Sequence, residues 1–179
     1  MLKRKSDERG FTLIEVIVTL VLVGFTTVLA GMFIVYIANG YIFAKMNANT
    51  LQKAQLAMAR LETEFRGITS VTSATSSQIT YTRTQIATAG GSVPVTVFLS
   101  GNTLRINVNN TGNNILTDSV SNGGFSLQYC NYNPVSGSQV CGTDWPATGT
   151  RVIINITLTL TGANGIGSTF TSSIVPRNL

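Results

Sequence analysis

The sequence predicts an α+β protein: a long N-terminal helix, membrane-spanning in its first half and amphipathic in its second, packed on a C-terminal antiparallel β-sheet head. Three observations predict it. Residues 16–38 form a 23-residue apolar run without a charge, an apolar period of three and four residues continues to Phe65, and six segments beyond residue 67 alternate apolar with polar side chains. At 179 residues the chain is a small domain plus an appendage. It divides into a basic leader at 1–10, a span at 11–38, an amphipathic helix at 39–66 and a β-rich head at 67–179.

The span comes first. Its 23 residues as a helix cover roughly 35 Å, enough for a hydrocarbon core of about 30 Å. Tyr36 and Tyr41 fall where an interfacial aromatic belt is expected. Lys3, Arg4, Lys5 and Arg9 precede the span, so the positive-inside rule puts residues 1–10 in the cytoplasm and the body outside. Glu15 is the anomaly, a carboxylate at the mouth of the apolar run, where such a residue usually has a partner. Gly24, Gly31 and Gly40 weaken the helix by about 1 kcal/mol each relative to Ala and mark where it would bend.

No proline or turn cluster separates the span from the stripe Leu51, Ala54, Met58, Leu61, Phe65 and Ile68, with Gln52, Lys53, Gln55, Arg60, Glu62, Glu64 and Arg66 on the polar positions. One helix therefore runs from Phe11 to about Phe65, roughly 80 Å. Its stripe is expected to bury against the sheet, and Gly67 ends it. After a Ser/Thr-rich segment at 68–77, strands are expected at 78–84, 93–99, 103–108, 125–130, 151–160 and 169–175. The clearest sets Val152, Ile154, Ile156, Leu158 and Leu160 against Asn155, Thr157 and Thr159. Ser100-Gly101-Asn102 reads as a hairpin turn, and 109–114 and 122–124 as loops.

The string Arg9-Gly10-Phe11-Thr12-Leu13-Ile14-Glu15-Val16 resembles the N-terminus of the type IV pilin and type II secretion pseudopilin family. In that family a short charged leader ends in Gly, the following Phe becomes a methylated first residue, and a Glu stands at the fifth mature position. The resemblance implies that prepilin peptidase/methyltransferase cuts after Gly10 and methylates Phe11. It also implies that Glu15 pairs with the Phe11 amine of a neighbouring subunit while both lie in lipid. The competing reading is secretory cleavage after Val28-Leu29-Ala30, which leaves Glu15 without a purpose. The segments at 115–120 and 125–129, the long Thr-alternating strand and the ending Pro176-Arg177-Asn178 look like minor pilins or minor pseudopilins of the W/J type.

What the resemblance implies is a non-enzymatic subunit of a type IV pilus or secretion pseudopilus. It would sit in the inner membrane as a single-pass protein before entering a pilus or a periplasmic pseudopilus. Its partners would be other pilins or pseudopilins, the peptidase, the inner-membrane assembly platform and, before assembly, the lipid bilayer. The alternative is a tip-located adhesin or DNA-binding pilin whose head binds DNA or a surface ligand.

Composition bears on the remaining sites. Lys and Arg number 12 against 7 Asp and Glu, a net charge of +5, yet residues 67–179 hold four Arg, two Asp and no Lys. There is no His, the commonest general base and metal ligand, so nucleophilic catalysis and a metal centre are not expected, nor is a cofactor. Cys130 and Cys141 enclose ten residues in a turn-rich loop. Outside the cytoplasm they read most simply as a disulfide, and as two free thiols if the compartment does not oxidise. Asp118 and Asp144 make a weak calcium pattern, and Asp118 reads rather as a turn cap. Arg83, Arg105, Arg151 and Arg177 are a scattered set, more consistent with solvated strand positions than a DNA face. Trp145 is either an exposed contact residue or a lid on the sheet.

Overall fold

The computed structural model describes residues 10–84, 91–132, 137–146 and 152–177. The leader residues 1–9, Arg151 at the start of an expected strand and Asn178 of the chain ending lie outside them. Helix α1 runs Leu13–Arg66 without interruption, passing through Gly24, Gly31 and Gly40. The chain falls into two compact units, Met1–Lys45 and Met46–Leu179.

In the first unit every described side chain is exposed. The most apolar 18-residue window of the helix has a mean hydropathy of 2.4, long and apolar enough to cross a membrane. The hydroxyls that interrupt it are satisfied on the helix itself. Thr19 Oγ1 donates to the Val16 carbonyl at 2.9 Å, and Thr26 and Thr27 donate to the Val23 carbonyl at 3.0 and 2.7 Å. They therefore add little polarity to the surface.

In the second unit the helix buries Ala54, Ala57, Met58, Leu61 and Phe65. The expected stripe holds in its middle and fails at both ends. Leu51 is 44% exposed, and Ile68 is buried as the first residue of a strand, not the last of the helix. Glu64, expected on the polar face, is 2% exposed. At four residues from Arg60 and Phe-adjacent at 65 it lies one position off the stripe, within the roughly 100° arc that a core-facing helix buries.

Among the described residues nine strands follow: β1 (Ile68–Ala74), β2 (Gln78–Thr84), β3 (Ser92–Ser100), β4 (Thr103–Val108), β5 (Asn113–Thr117), β6 (Val120–Tyr132), β7 (Gln139–Gly142), β8 (Val152–Thr161) and β9 (Gly167–Ile174). They form two antiparallel sheets, ordered β1-β2-β3-β4-β5 and β7-β6-β8-β9. The six expected strands are present. β1 occupies the segment read as a Ser/Thr-rich lead-in, β5 takes the last two residues of the expected 109–114 loop, and β7 is a strand the sequence pattern does not predict. Residues 122–124, expected as a loop, lie inside β6, where pairing with β8 shifts between Val120 and Phe125. Gly124 is required there, because a Cβ would stand 2.6 Å from the Thr159 carbonyl oxygen and 2.8 Å from that of Ser121. The expected turn at Ser100-Gly101-Asn102 is present, with Ser100 opposite Thr103 and Gly101 at φ +57°.

The alternation of β8 is as read, Val152, Ile154, Ile156, Leu158 and Leu160 all facing the core. Its outer hydroxyls pair across strands, Thr159 with Thr169 at 2.9 Å. The segment around β9 is tied to the helix at three points, one before the strand, one within it and one after it. The Ala163 N–H before it donates to Asn47 Oδ1 at 3.1 Å, Ser172 Oγ donates to Glu62 Oε1 at 2.7 Å, and the Arg177 N–H donates to the Arg66 carbonyl at 3.2 Å.

Candidate processing and assembly site

Gly10 and Phe11 precede the helix in irregular backbone, and Phe11 is 80% exposed. A Cβ built on Gly10 meets nothing within 4 Å, and its φ is not in the left-handed region. Neither packing nor backbone conformation within the chain therefore asks for glycine at this position.

Thr12 starts the helix. The Glu15 N–H points to Thr12 Oγ1 at 3.4 Å and to the Thr12 carbonyl at 3.1 Å, and the Val16 N–H reaches the same carbonyl at 3.3 Å. This is N-cap geometry, with Glu15 three residues on, where its negative charge also faces the positive end of the helix dipole. The sequence reading missed Thr12, although the Thr-x-x-Glu spacing was the signal. Glu15 thus stands in the first turn, at the N-terminal edge of the apolar run.

Residues 5–31 match the prokaryotic N-terminal methylation motif. That motif marks the type IV pilin and pseudopilin family. The match covers Gly10, Phe11 and Glu15 and ends within the apolar run. No curated protein and no solved structure gives a match to the chain. The prepilin-type N-terminus, the long apolar helix and the two antiparallel sheets together make a pilin-like α+β arrangement.

The other expected site residues lie in the head. Cys130 and Cys141 are joined as a disulfide and face each other directly across β6 and β7. Asp118, in the turn between β5 and β6, pairs with Lys53 of the helix at 2.6 Å. The hydrogen bond from Lys53 holds its carboxyl below the ordinary carboxylate range. No group of three or more metal-ligating side chains occurs among the described residues. Of the four arginines, Arg151 lies outside the described residues, and two of the others make contacts within the head. Arg83 turns inward to Glu64, and Arg105 Nε donates to its neighbour Thr103. Trp145 is the lid, half-buried against the core and edge-on to Tyr129 with ring centroids 5.4 Å apart.

A cluster around Glu64 was not legible in the sequence. Arg60 Nη2 lies 2.6 Å from Oε1, Arg83 Nη1 lies 3.3 Å from Oε2, and the Tyr81 hydroxyl donates to Oε2 at 3.4 Å. Oε1 accepts no aligned hydrogen bond, so its pairing with Arg60 is ionic contact alone. Burial, then the Glu64 charge, pushes the Tyr81 hydroxyl well above its ordinary value. The Arg60 spacing is readable as an i,i+4 pair, but the strand partner is not, because β2 enters from 19 residues away.

Proposed function

We propose that the chain is a minor subunit of a type IV pilus or a secretion pseudopilus, processed after Gly10 and assembled through its N-terminal helix. The observation that carries this reading is the N-terminal constellation. A glycine that the chain's own packing does not require is followed by Phe11 and by a carboxylate in the first turn of a bare apolar helix. A peptidase acting at the membrane face needs a small residue beside the scissile bond, which explains Gly10. Cutting there leaves the helix attached and creates an ammonium group at Phe11, four residues before Glu15.

In lipid an unpaired carboxylate costs about 2.5–3.5 kcal/mol near the span centre, so Glu15 favours a partner charge. The Phe11 ammonium of an adjacent subunit supplies one, and helix packing within a filament removes the remaining apolar surface from lipid. Gly24 and Gly31, seven residues apart and open on the helix surface, suit close helix approach. The W/J likeness of the C-terminal strands supports a minor position.

Two measurements test the reading. The mass of the mature protein from its own host is expected to begin at methylated Phe11; a start at Gly31 would assign the segment to secretory cleavage instead. Glu15→Val is expected to insert in the membrane at least as well as the parent while losing crosslinks to other pilins. Undiminished crosslinking would remove Glu15 from the assembly contact.

A further inference from the structure

The disulfide is strongly asymmetric. Cys130 is fully buried in β6, whereas Cys141 is exposed on β7, the edge strand, none of whose four residues is buried. A side-chain amide is aimed at the buried sulfur: Asn155 Nδ2 donates to Cys130 Sγ at 3.2 Å. That amide is oriented in turn by Ser173 Oγ, which donates to Asn155 Oδ1 at 2.7 Å. One sulfur therefore belongs to an exposed residue on an edge strand, and the other sits beside a hydrogen-bond donor that stabilises negative charge.

We propose that the Cys130–Cys141 cystine is a thiol–disulfide exchange site, entered at Cys141 and opened with Cys130 as the leaving thiolate, whose partner is a dithiol protein outside the cytoplasm. An incoming thiolate attacks Cys141 Sγ; a new S–S bond forms to Cys141 as the Cys141–Cys130 bond breaks, and the electron pair stays on Cys130 Sγ under the Asn155 amide. The partner's second thiolate then attacks its own sulfur in the mixed disulfide and releases Cys141. The dithiol is oxidised to a disulfide, the cystine is reduced to two thiols, and two protons pass from the dithiol to them. Rates of such exchange depend on which sulfur is reached and on how well the leaving thiolate is stabilised, the two properties this site divides between its cysteines. The cystine is the covalent tie of β7 to the sheet, so reduction leaves this four-residue edge strand held by its ladder to β6 alone. Trp145, three residues beyond Gly142 and packed on Tyr129, reports the change.

The test uses the full chain in detergent with glutathione as the attacking thiol, quenched by alkylation and mapped by mass spectrometry. Glutathione is expected on Cys141 and the alkyl group on Cys130, with a change in the fluorescence of the single tryptophan as reduction proceeds. Asn155→Ala is expected to slow the reaction by about tenfold, the scale of a lost hydrogen bond to a charged group. Glutathione on Cys130 overturns the proposal. So does a cystine reduced only where denaturant unfolds the head, or an Asn155→Ala protein of unchanged melting temperature that reacts at the parent rate. Should Asn155→Ala fail to fold, the position of the adduct in the unsubstituted protein decides. The outcome does not depend on N-terminal processing, so the filament reading and this one fail separately.

Discussion

At position 64 a carboxylate lies in the core between two guanidinium groups and a tyrosine hydroxyl, and its removal is felt on both sides of the helix–sheet contact. Glu64→Gln keeps the volume but leaves Arg83, with only 27% of its side chain exposed, without a counter-charge. Breaking a fully buried pair costs about 3–5 kcal/mol; because both arginines reach solvent, a loss of about 2–3 kcal/mol is expected in denaturant unfolding. Asp118 differs in its exposure. Its folded carboxyl is held below its unfolded value, so the Lys53 pair contributes fully above the ordinary Asp range and is lost as pH falls through the lowered value. The melting temperature is therefore expected to drop less steeply below about pH 4 in Asp118→Asn than in the parent. At Gly10 the expectation concerns recognition alone. Nothing surrounds its Cβ position, so Gly10→Phe should leave the head's circular dichroism and melting unchanged while the precursor stays at full mass. A normally processed Gly10→Phe protein would contradict the cleavage assignment.

Among the elements, those whose pattern is local were legible before the fold was known. The span, the middle of the amphipathic stripe and β8 each follow from periodicity, because a helix or a half-buried strand repeats its environment every few residues. β5 and β7, five and four residues long, carry too little alternation to be read, and β1 hides in a run of Ser and Thr. Asn-Gly-Gly is turn chemistry and predicts a loop where β6 has its bulge; only the approach of the Thr159 carbonyl shows why glycine sits inside a strand. The N-terminal candidate residues were readable as a string, whereas the Thr12 cap needed the helix start, and the Glu64 cluster and the Asn155–Cys130 contact needed the tertiary pairing. The helix brings Ala54, Ala57, Met58, Leu61 and Phe65 to the core. Leu61, fully buried at the centre of its stripe, is the position at which truncation to Ala is expected to cost about 2–5 kcal/mol, measured by thermal unfolding. Leu56, 72% exposed, is its control and should change stability little.

For the molecule as a whole, sequence divides the work by composition. Basic residues collect before the span, apolar residues fill it, and the head presents a nearly uncharged Ser/Thr surface whose hydroxyls are used in pairs across strands, Thr80 with Thr96 as well as Thr159 with Thr169. A head of this kind gains little from charge steering, so its associations with neighbours are expected to change only slightly with salt. Sedimentation of the purified full chain at low and high salt checks this, and strong dissociation by salt would point to an ionic interface instead.

The three ties between β9 and the helix, at Asn47, Glu62 and Arg66, have a mechanical consequence. The chain is held to the helix at Ala163 ahead of the strand, at Ser172 within it and at Arg177 beyond it. A force drawn along the helix axis loads these ties in shear and together, whereas a hairpin pulled from one end would open bond by bond. Since β9 is also an edge strand of its sheet, these ties fasten that edge of the head to the helix, and the described residues there are not free to peel away one bond at a time.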